Sequence, residues 1–292
     1  MSAAAPGGAG PASAVARPRR DRLSPTLPLG IVVLFIIPLI LLPIAAIFYF
    51  AFVTGPGAFI EALSSEAALH SLRLSFAVAL VTAVINAFLG TLTAYVLAKY
   101  RFPGKEALSI VVNLPVAIPT VVVGTSLLLL WGPIGLLGDA LARLGLPTPM
   151  FHPVGIVLAH IFVTYPYMLG SVKPVLDELE ISYEEAAYTM GASRLQTFRY
   201  VIFPALRGGL FAGTLLTFAH SLGEFGATVM VSGNLRLKTQ TAPLYIFSRF
   251  EQGDLASTNA VAAVLALASF AIFFVLIRVT GAGSGSRGTE IR

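Results

Sequence analysis

No cysteine occurs among the 292 residues, which excludes disulfides, thiolate catalysis and cysteine-based metal sites. Charge is also scarce. Asp, Glu, Lys and Arg make up only 11% of the chain, about half the share usual in a soluble protein. No G-x-x-x-x-G-K-[ST] loop is present. The nearest stretch, "GNLRLKT" at 233–239, lacks the second glycine, so the chain is expected to bind no ATP itself. The four histidines, His70, His152, His160 and His220, fall in no metal-binding spacing and read as hydrogen-bonded or interface residues. No G-x-S-x-G nucleophile elbow occurs. Alternating strands of about ten residues, the mark of a membrane barrel, are missing as well. An enzyme active site, a bound metal and a cofactor are therefore not expected in this chain.

What is present is apolar. Hydrophobic residues are 56% of the sequence and the mean hydropathy is +0.84. Six stretches approach the ~20 residues that cross a bilayer as helix, at about 29–52, 71–98, 107–131, 153–172, 207–231 and 256–279. The expected fold class is an all-α membrane protein of six transmembrane helices. Residues 1–28 are rich in Ala, Gly, Pro and Arg and read as a disordered basic tail. Residues 29–280 form the transmembrane domain and 281–292 a short second tail. A twin-arginine export signal could also begin with "RPRRDR" (17–22). The apolar run after it is long and lacks an A-x-A cleavage site, which points to a retained first span.

The net charge of +5 is a topology signal rather than a nucleic-acid footprint. With the N-terminus inside, fourteen of the nineteen Lys and Arg residues fall on the inner side. The outer side holds five: Arg73, Arg143, Arg236, Lys238 and Arg249. That bias places both termini in the cytoplasm, and with them the connection between spans four and five. Pro115 and Pro119 in "NLPVAIPT" predict a kink or break in span three, because each proline removes a backbone donor and crowds the preceding turn.

The connection at 182–204 carries two helix-start signals. Ser182 with Glu185, and Ser193 with Gln196, both fit the capping-box spacing. Gly191 between them suits a left-handed helix end, and Pro204 suits the opening of the next span. The reading is two short helices meeting at Gly191. Such a unit fits either a groove on a partner protein or the lipid surface.

The stretch "EAAYTMGASRLQTFRYVIFP" resembles the coupling motif of ABC importer permeases. Glu185, Ala186, Ala187, Gly191, Val201 and Pro204 fall on the motif positions, with Phe203 where leucine is usual. The segments "AKYRFPGKEAL", "NLPVAIPTVVVG", "SLGEFGATVMVSGN" and "KTQTAPLYIF" narrow the resemblance to the sulfate/thiosulfate and molybdate/tungstate permeases, over about residues 30–279. The resemblance implies a cytoplasmic two-helix coupling loop that docks on an ATP-binding cassette ATPase. It also implies two such ATPase subunits using ATP and Mg, a second permease subunit (the same chain or a related one) and an external oxyanion-binding protein. The substrate implied is a tetrahedral oxyanion, sulfate or thiosulfate first and molybdate or tungstate second.

Span five places Thr214, Thr217, Ser221, Glu224 and Thr228 at spacings of 3, 4, 3 and 4, one helical stripe. This stripe either lines the translocation path or knits the helix to itself and its neighbours. Asn113 and Thr120 beside the broken third span are further path candidates. An ionised Glu224 would repel a dianion. Its expected role is an ion pair with Arg73, near the outer start of span two, that holds one gate state. An ion-driven secondary transporter is the rival class. It would need acidic coupling groups near the midplane, and Glu224 is the one clear acidic residue within a span.

Overall fold

The computed structural model describes residues 26–284. The expected basic tail and the last residues, 285–292, lie outside that range apart from the start of the first helix. Among the described residues there are helices and no strands. The chain divides into two units, residues 1–46 and 47–292. The first unit holds the start of span one. A helix Thr26–Ile31 passes through a π turn, Val32–Ile36, into Ile37–Phe52.

Within the larger unit, Ser65 opens span two by accepting a hydrogen bond from Ala68 N at 3.3 Å. The helix then runs Glu66–Lys99. Its 34 residues measure about 51 Å, well beyond the ~30 Å hydrocarbon layer. Its two faces are sorted for lipid. Leu80, Val84 and Phe88 are exposed, whereas Thr82, Asn86 and Gly90 are buried. Small and polar residues thus sit against protein and large apolar ones point outward, as expected where lipid rather than water surrounds a bundle. Span four, Pro153–Glu178, starts on a proline at its first turn and packs along span two and span five. Its Met168 is fully buried and would collide with a Cβ at either Gly90 of span two or Gly213 of span five. Those two glycines therefore set how closely the three helices approach.

Span three is broken where its prolines predict. A helix Lys105–Asn113 gives way to a 3-10 turn, Leu114–Val116, and resumes as Thr120–Trp131. The second piece is about 18 Å long, and the segment long and apolar enough to cross runs on from it over Thr120–Arg143. A turn at residues 132–135 then leads to a short helix, Leu136–Arg143.

Span five corrects the sequence reading twice. It begins earlier than expected, running without interruption over Arg194–Leu222, and it stops before 231. After a break at residues 223–225 a separate helix, Gly226–Ser232, follows. The expected second short helix of the 182–204 unit is thus the first turn of span five itself. A π turn over Phe198–Ile202 widens the helix just before Pro204. That widening accommodates a ring that would otherwise crowd the carbonyl four residues back. Beyond it, a helix Ala242–Glu251 packs Ala242, Leu244 and Tyr245 inward. The final span occupies Leu255–Ser284.

Candidate functional site

At one end of the bundle, residues 181–202 form a projecting corner. The first helix, Ile181–Thr189, starts one residue before the expected cap, Ser182. Ser182 therefore lies inside the first turn and donates to Glu180 Oε2 at 3.0 Å, and the Ser182–Glu185 box does not form. The far end is a Schellman close. Ala192 N–H reaches Ala187 O at 3.0 Å and Gly191 N–H reaches Tyr188 O at 2.9 Å, with Gly191 at φ +84°. Two residues on, the Ser193–Gln196 box is complete. Ser193 N–H donates to Gln196 Oε1 at 2.7 Å, and Gln196 N–H to Ser193 Oγ at 3.4 Å.

This corner is pinned to span two by an ion pair that spacing could not reveal. Lys99 Nζ, on the last residue of span two, lies 2.6 Å from Glu184 Oε1, and both side chains are largely buried. Ala187 is buried beneath the corner, while Glu185 and Ala186 are exposed. Tyr183, Met190 and Leu195 are exposed as well, Met190 at 83%. Val201 is half-buried and Pro204 exposed in the span-five helix. Glu185, Ala186, Ala187 and Gly191 therefore share one corner with an apolar, uncovered surface, and Val201 and Pro204 lie on the helix that leaves it.

The second constellation lies where the breaks of spans three and five meet. Helices Thr120–Trp131 and Gly226–Ser232 pack backbone against backbone. A Cβ on Gly124 would meet the Ala227 backbone, and one on Gly226 would meet the Thr120 hydroxyl. Glu224 sits in the span-five break, 6% exposed. Its Oε1 accepts from Ala227 N at 2.9 Å, so the carboxylate caps the short helix. Its Oε2 lies 4.0 Å from His220 Nε2. His160 of span four clamps both sides of the break. Nδ1 is 2.6 Å from Ser221 Oγ and Nε2 is 2.7 Å from Thr228 Oγ1. His160 is thus an interface histidine with both nitrogens satisfied, as its lack of metal spacing suggested. The same buried network continues one turn along span four. Thr164 donates to His160 O at 2.7 Å and accepts from Asn86 Nδ2 at 2.8 Å.

Two expectations need correction here. The Arg73–Glu224 ion pair is not formed: Arg73 is exposed on span two, and Glu224 spends its oxygens on Ala227 N and the approach to His220. The span-five stripe does not form an open lining. Thr217, Ser221 and Thr228 are buried inside the bundle, and Thr214 donates back to Leu210 O at 2.7 Å. Spacing placed these residues on one face, but it could not say that the face packs on span four. Asn113 is exposed and bonds back to Ser109 O at 2.8 Å. Thr120 is half-buried beside Gly226. Among the described residues no cluster of His, Asp or Glu could hold a metal ion.

Comparison with known proteins places this architecture. The sulfate transport system permease protein CysT of Salmonella typhimurium is 36% identical over 249 residues, covering 85% of this chain and 90% of that protein. The sulfate transport system permease protein CysW of Synechocystis sp. is 37% identical over 239 residues, 82% of this chain and 86% of that one. Among solved structures, a bacterial alginate ABC transporter in complex with an alginate pentasaccharide-bound periplasmic protein matches with a TM-score of 0.73. It is 16% identical and covers 89% of this chain and 94% of that chain; at that identity it speaks for the fold alone. A family pattern described as "binding-protein-dependent transport system inner membrane component" matches residues 86–282. That match spans more than half of the sequence, so this chain belongs to the binding-protein-dependent transport system inner membrane components, a family of multi-pass transport permeases.

Proposed function

We propose that the chain is the permease subunit of an ATP-driven ABC importer and that its substrate is sulfate. The observation that carries the ATP coupling is the rigid corner at 181–202. Its shape is set by the Gly191 close, the Ser193–Gln196 box and the Lys99–Glu184 pin, yet Tyr183, Met190 and Leu195 on it remain uncovered. A stiff projection with an apolar surface suits insertion into a groove of a partner. The partner with matching chemistry is an ATPase subunit, which binds the ATP and Mg that this chain has no loop to hold. The sulfate assignment rests on the relatives, named as sulfate permeases at 36–37% identity over most of the chain.

The corner lies in the cytoplasm, together with both termini, as the distribution of Lys and Arg favours. From Arg194 to Leu222 the backbone is one helix of 29 residues, about 43 Å long. A displacement of the corner by ATPase closure therefore reaches the break at 223–225 as a rigid-body motion. There it strains the Glu224 cap and the His160 clamp, the contacts that hold the two halves of span five in register. A second permease subunit would close the path. An apolar surface including Phe225, Ile246, Phe247 and Phe250 lies open next to the break and suits such a neighbour. An external binding protein would deliver sulfate at the opposite end. A carboxylate that caps a helix with one oxygen and faces His220 with the other is poorly placed to couple transport to an ion gradient, which disfavours the secondary-transporter reading.

The test is uptake of labelled sulfate into proteoliposomes holding the permease, its ATPase and binding protein. Uptake that requires ATP and both partners supports the proposal. Uptake driven by a proton or sodium gradient without ATPase contradicts it. ATP-dependent uptake of molybdate with no sulfate uptake overturns the substrate alone.

A further inference from the structure

At the end of the bundle opposite the coupling corner, a pocket of about 290 Å³ is lined by Asn234, Arg236, Gln240, Ser248, Arg249 and Gln252. The loop on its rim is held in a costly shape. Gly233, Asn234 and Leu237 all have positive φ, at 68°, 49° and 58°, and Leu237 has no side-chain feature that favours that region. A compact knot of hydrogen bonds maintains it. Thr239 Oγ1 donates to Ser232 O at 2.5 Å and accepts from Leu235 N at 3.1 Å. Leu235 O accepts from the N–H groups of Lys238, Thr239 and Gln240.

The buried Gln240 then fixes the pocket floor. Its Nε2 donates to Asn234 Oδ1 at 2.9 Å and to Ser248 Oγ at 3.4 Å, and Asn234 Nδ2 donates to the same Ser248 Oγ at 2.9 Å. A hydroxyl can accept two hydrogen bonds and donate one. Ser248 Oγ therefore accepts from two amides, which leaves its own proton available to a ligand or to water in the pocket. Beside it stand two guanidinium groups. Arg236 makes no ion pair among the described residues. Arg249 lies over the Tyr245 ring at 5.1 Å, donates to Gln252 Oε1 at 3.5 Å and pairs with Asp254 Oδ2 at 3.7 Å. The pocket thus joins a hydroxyl donor to Arg236 on the strained loop and to Arg249 on the helix Ala242–Glu251, and among the described residues only Arg249 of the two cations has a carboxylate partner.

We infer that this pocket is a receiving site for a small tetrahedral dianion, used as sulfate leaves the external binding protein. The inference rests on the sulfate-importer reading and adds to it a specific site of first contact. Guanidinium forks match the paired oxygens of an oxyanion. The concavity suits a small ion better than a flat protein contact. The site is partly open to water, so binding is weak, which suits a site that must pass its ion onward. It also adjoins the break: Phe247, the neighbour of Ser248, meets Phe225 in a tilted ring contact at 5.2 Å.

The test uses the purified permease–ATPase complex without binding protein, in equilibrium dialysis against labelled sulfate and, separately, labelled molybdate. Saturable sulfate binding is expected. Arg236→Gln should weaken it by about tenfold, the loss of one charge-assisted contact. Arg236→Gln with Arg249→Gln should abolish it, and Lys238→Gln, outside the pocket, should leave it unchanged. Arg236 is exposed on the loop, so its replacement alone cannot be dismissed as a folding defect. Absence of saturable oxyanion binding, or binding unaffected in Arg236→Gln, overturns the inference. So does a result in which the variants alter only the amount of binding protein needed to stimulate ATP hydrolysis, which would make the pocket a protein-docking surface. Binding of molybdate with no binding of sulfate keeps the site and overturns the sulfate reading.

Discussion

Replacing Gly191 separates backbone geometry from bulk at the coupling corner. Its φ of +84° lies in the left-handed region, and a Cβ built there meets nothing within 4 Å. Any cost of a side chain is therefore conformational rather than steric. For Gly191→Ala that cost is about 1–2 kcal/mol, a factor of about 5–30 in the population of the closed corner. Gly191→Asn should cost less, because asparagine tolerates this region, and Gly191→Val more, because of its branched Cβ. The assay is titration of the ATPase subunit onto the reconstituted permease, read as the concentration for half-maximal sulfate-dependent ATP hydrolysis. The expected order is wild type, Asn, Ala, Val, with Ala requiring about 5- to 30-fold more ATPase. Wild-type behaviour of both Ala and Val would refute the claim that the Gly191 close sets the corner. An Asn variant worse than Val would refute the backbone argument, since only contact with a partner would then explain the effect.

Three further predictions concern the contacts behind that corner and at the break. Lys99→Ala or Glu184→Ala leaves a largely buried charge without its partner. Each should loosen the corner by about 1–3 kcal/mol and lower transport, whereas Lys99→Glu with Glu184→Lys should recover much of it; a double-mutant cycle in uptake checks this. Glu224→Gln keeps an acceptor for Ala227 N and should retain most transport. Glu224→Ala removes the cap at a cost of about 1 kcal/mol and should transport less; equal loss in both would show that the charge itself is required. Gly226→Ala drives a methyl into the Thr120 hydroxyl, so Thr120→Ala should partly rescue it. Gly124→Ala meets the Ala227 backbone and has no such rescue; melting temperatures of the four variants decide.

How far these features were legible in the sequence depended on whether they are local. The Ser193–Gln196 box and the Gly191 turn are written within a few residues and appear as read. The Ser182–Glu185 box has the same spacing and fails, because the helix already starts at Ile181 and Ser182 lacks the extended backbone of a cap. The break in span three was marked by two prolines. The break in span five carries only Gly223 and Gly226, which a membrane helix also tolerates, so a straight helix was the natural expectation. The early start of span five is hidden in the sequence because Pro204 imitates a helix opening, and no residue pattern encodes a π turn. Contacts between distant segments were out of reach. Lys99 with Glu184, and His160 with Ser221 and Thr228, pair residues on different helices, and helical periodicity orders only residues within one. The polar stripe of span five assumes one straight helix, whereas Glu224 falls in the break and Thr228 on the separate helix beyond it.

The central claim is that the corner at 181–202 is where an ATPase seats and drives the permease. The cysteine-free sequence makes the direct measurement simple: a single cysteine, Met190→Cys, at an exposed corner position, with cross-linking to the ATPase subunit followed alongside sulfate uptake. The account predicts a specific permease–ATPase cross-link whose formation stops uptake, and no such cross-link from a cysteine at Phe88, on the lipid-facing side of span two. A Met190→Cys chain that transports sulfate but never cross-links to the ATPase, and is labelled by lipid-soluble reagents instead, would contradict it.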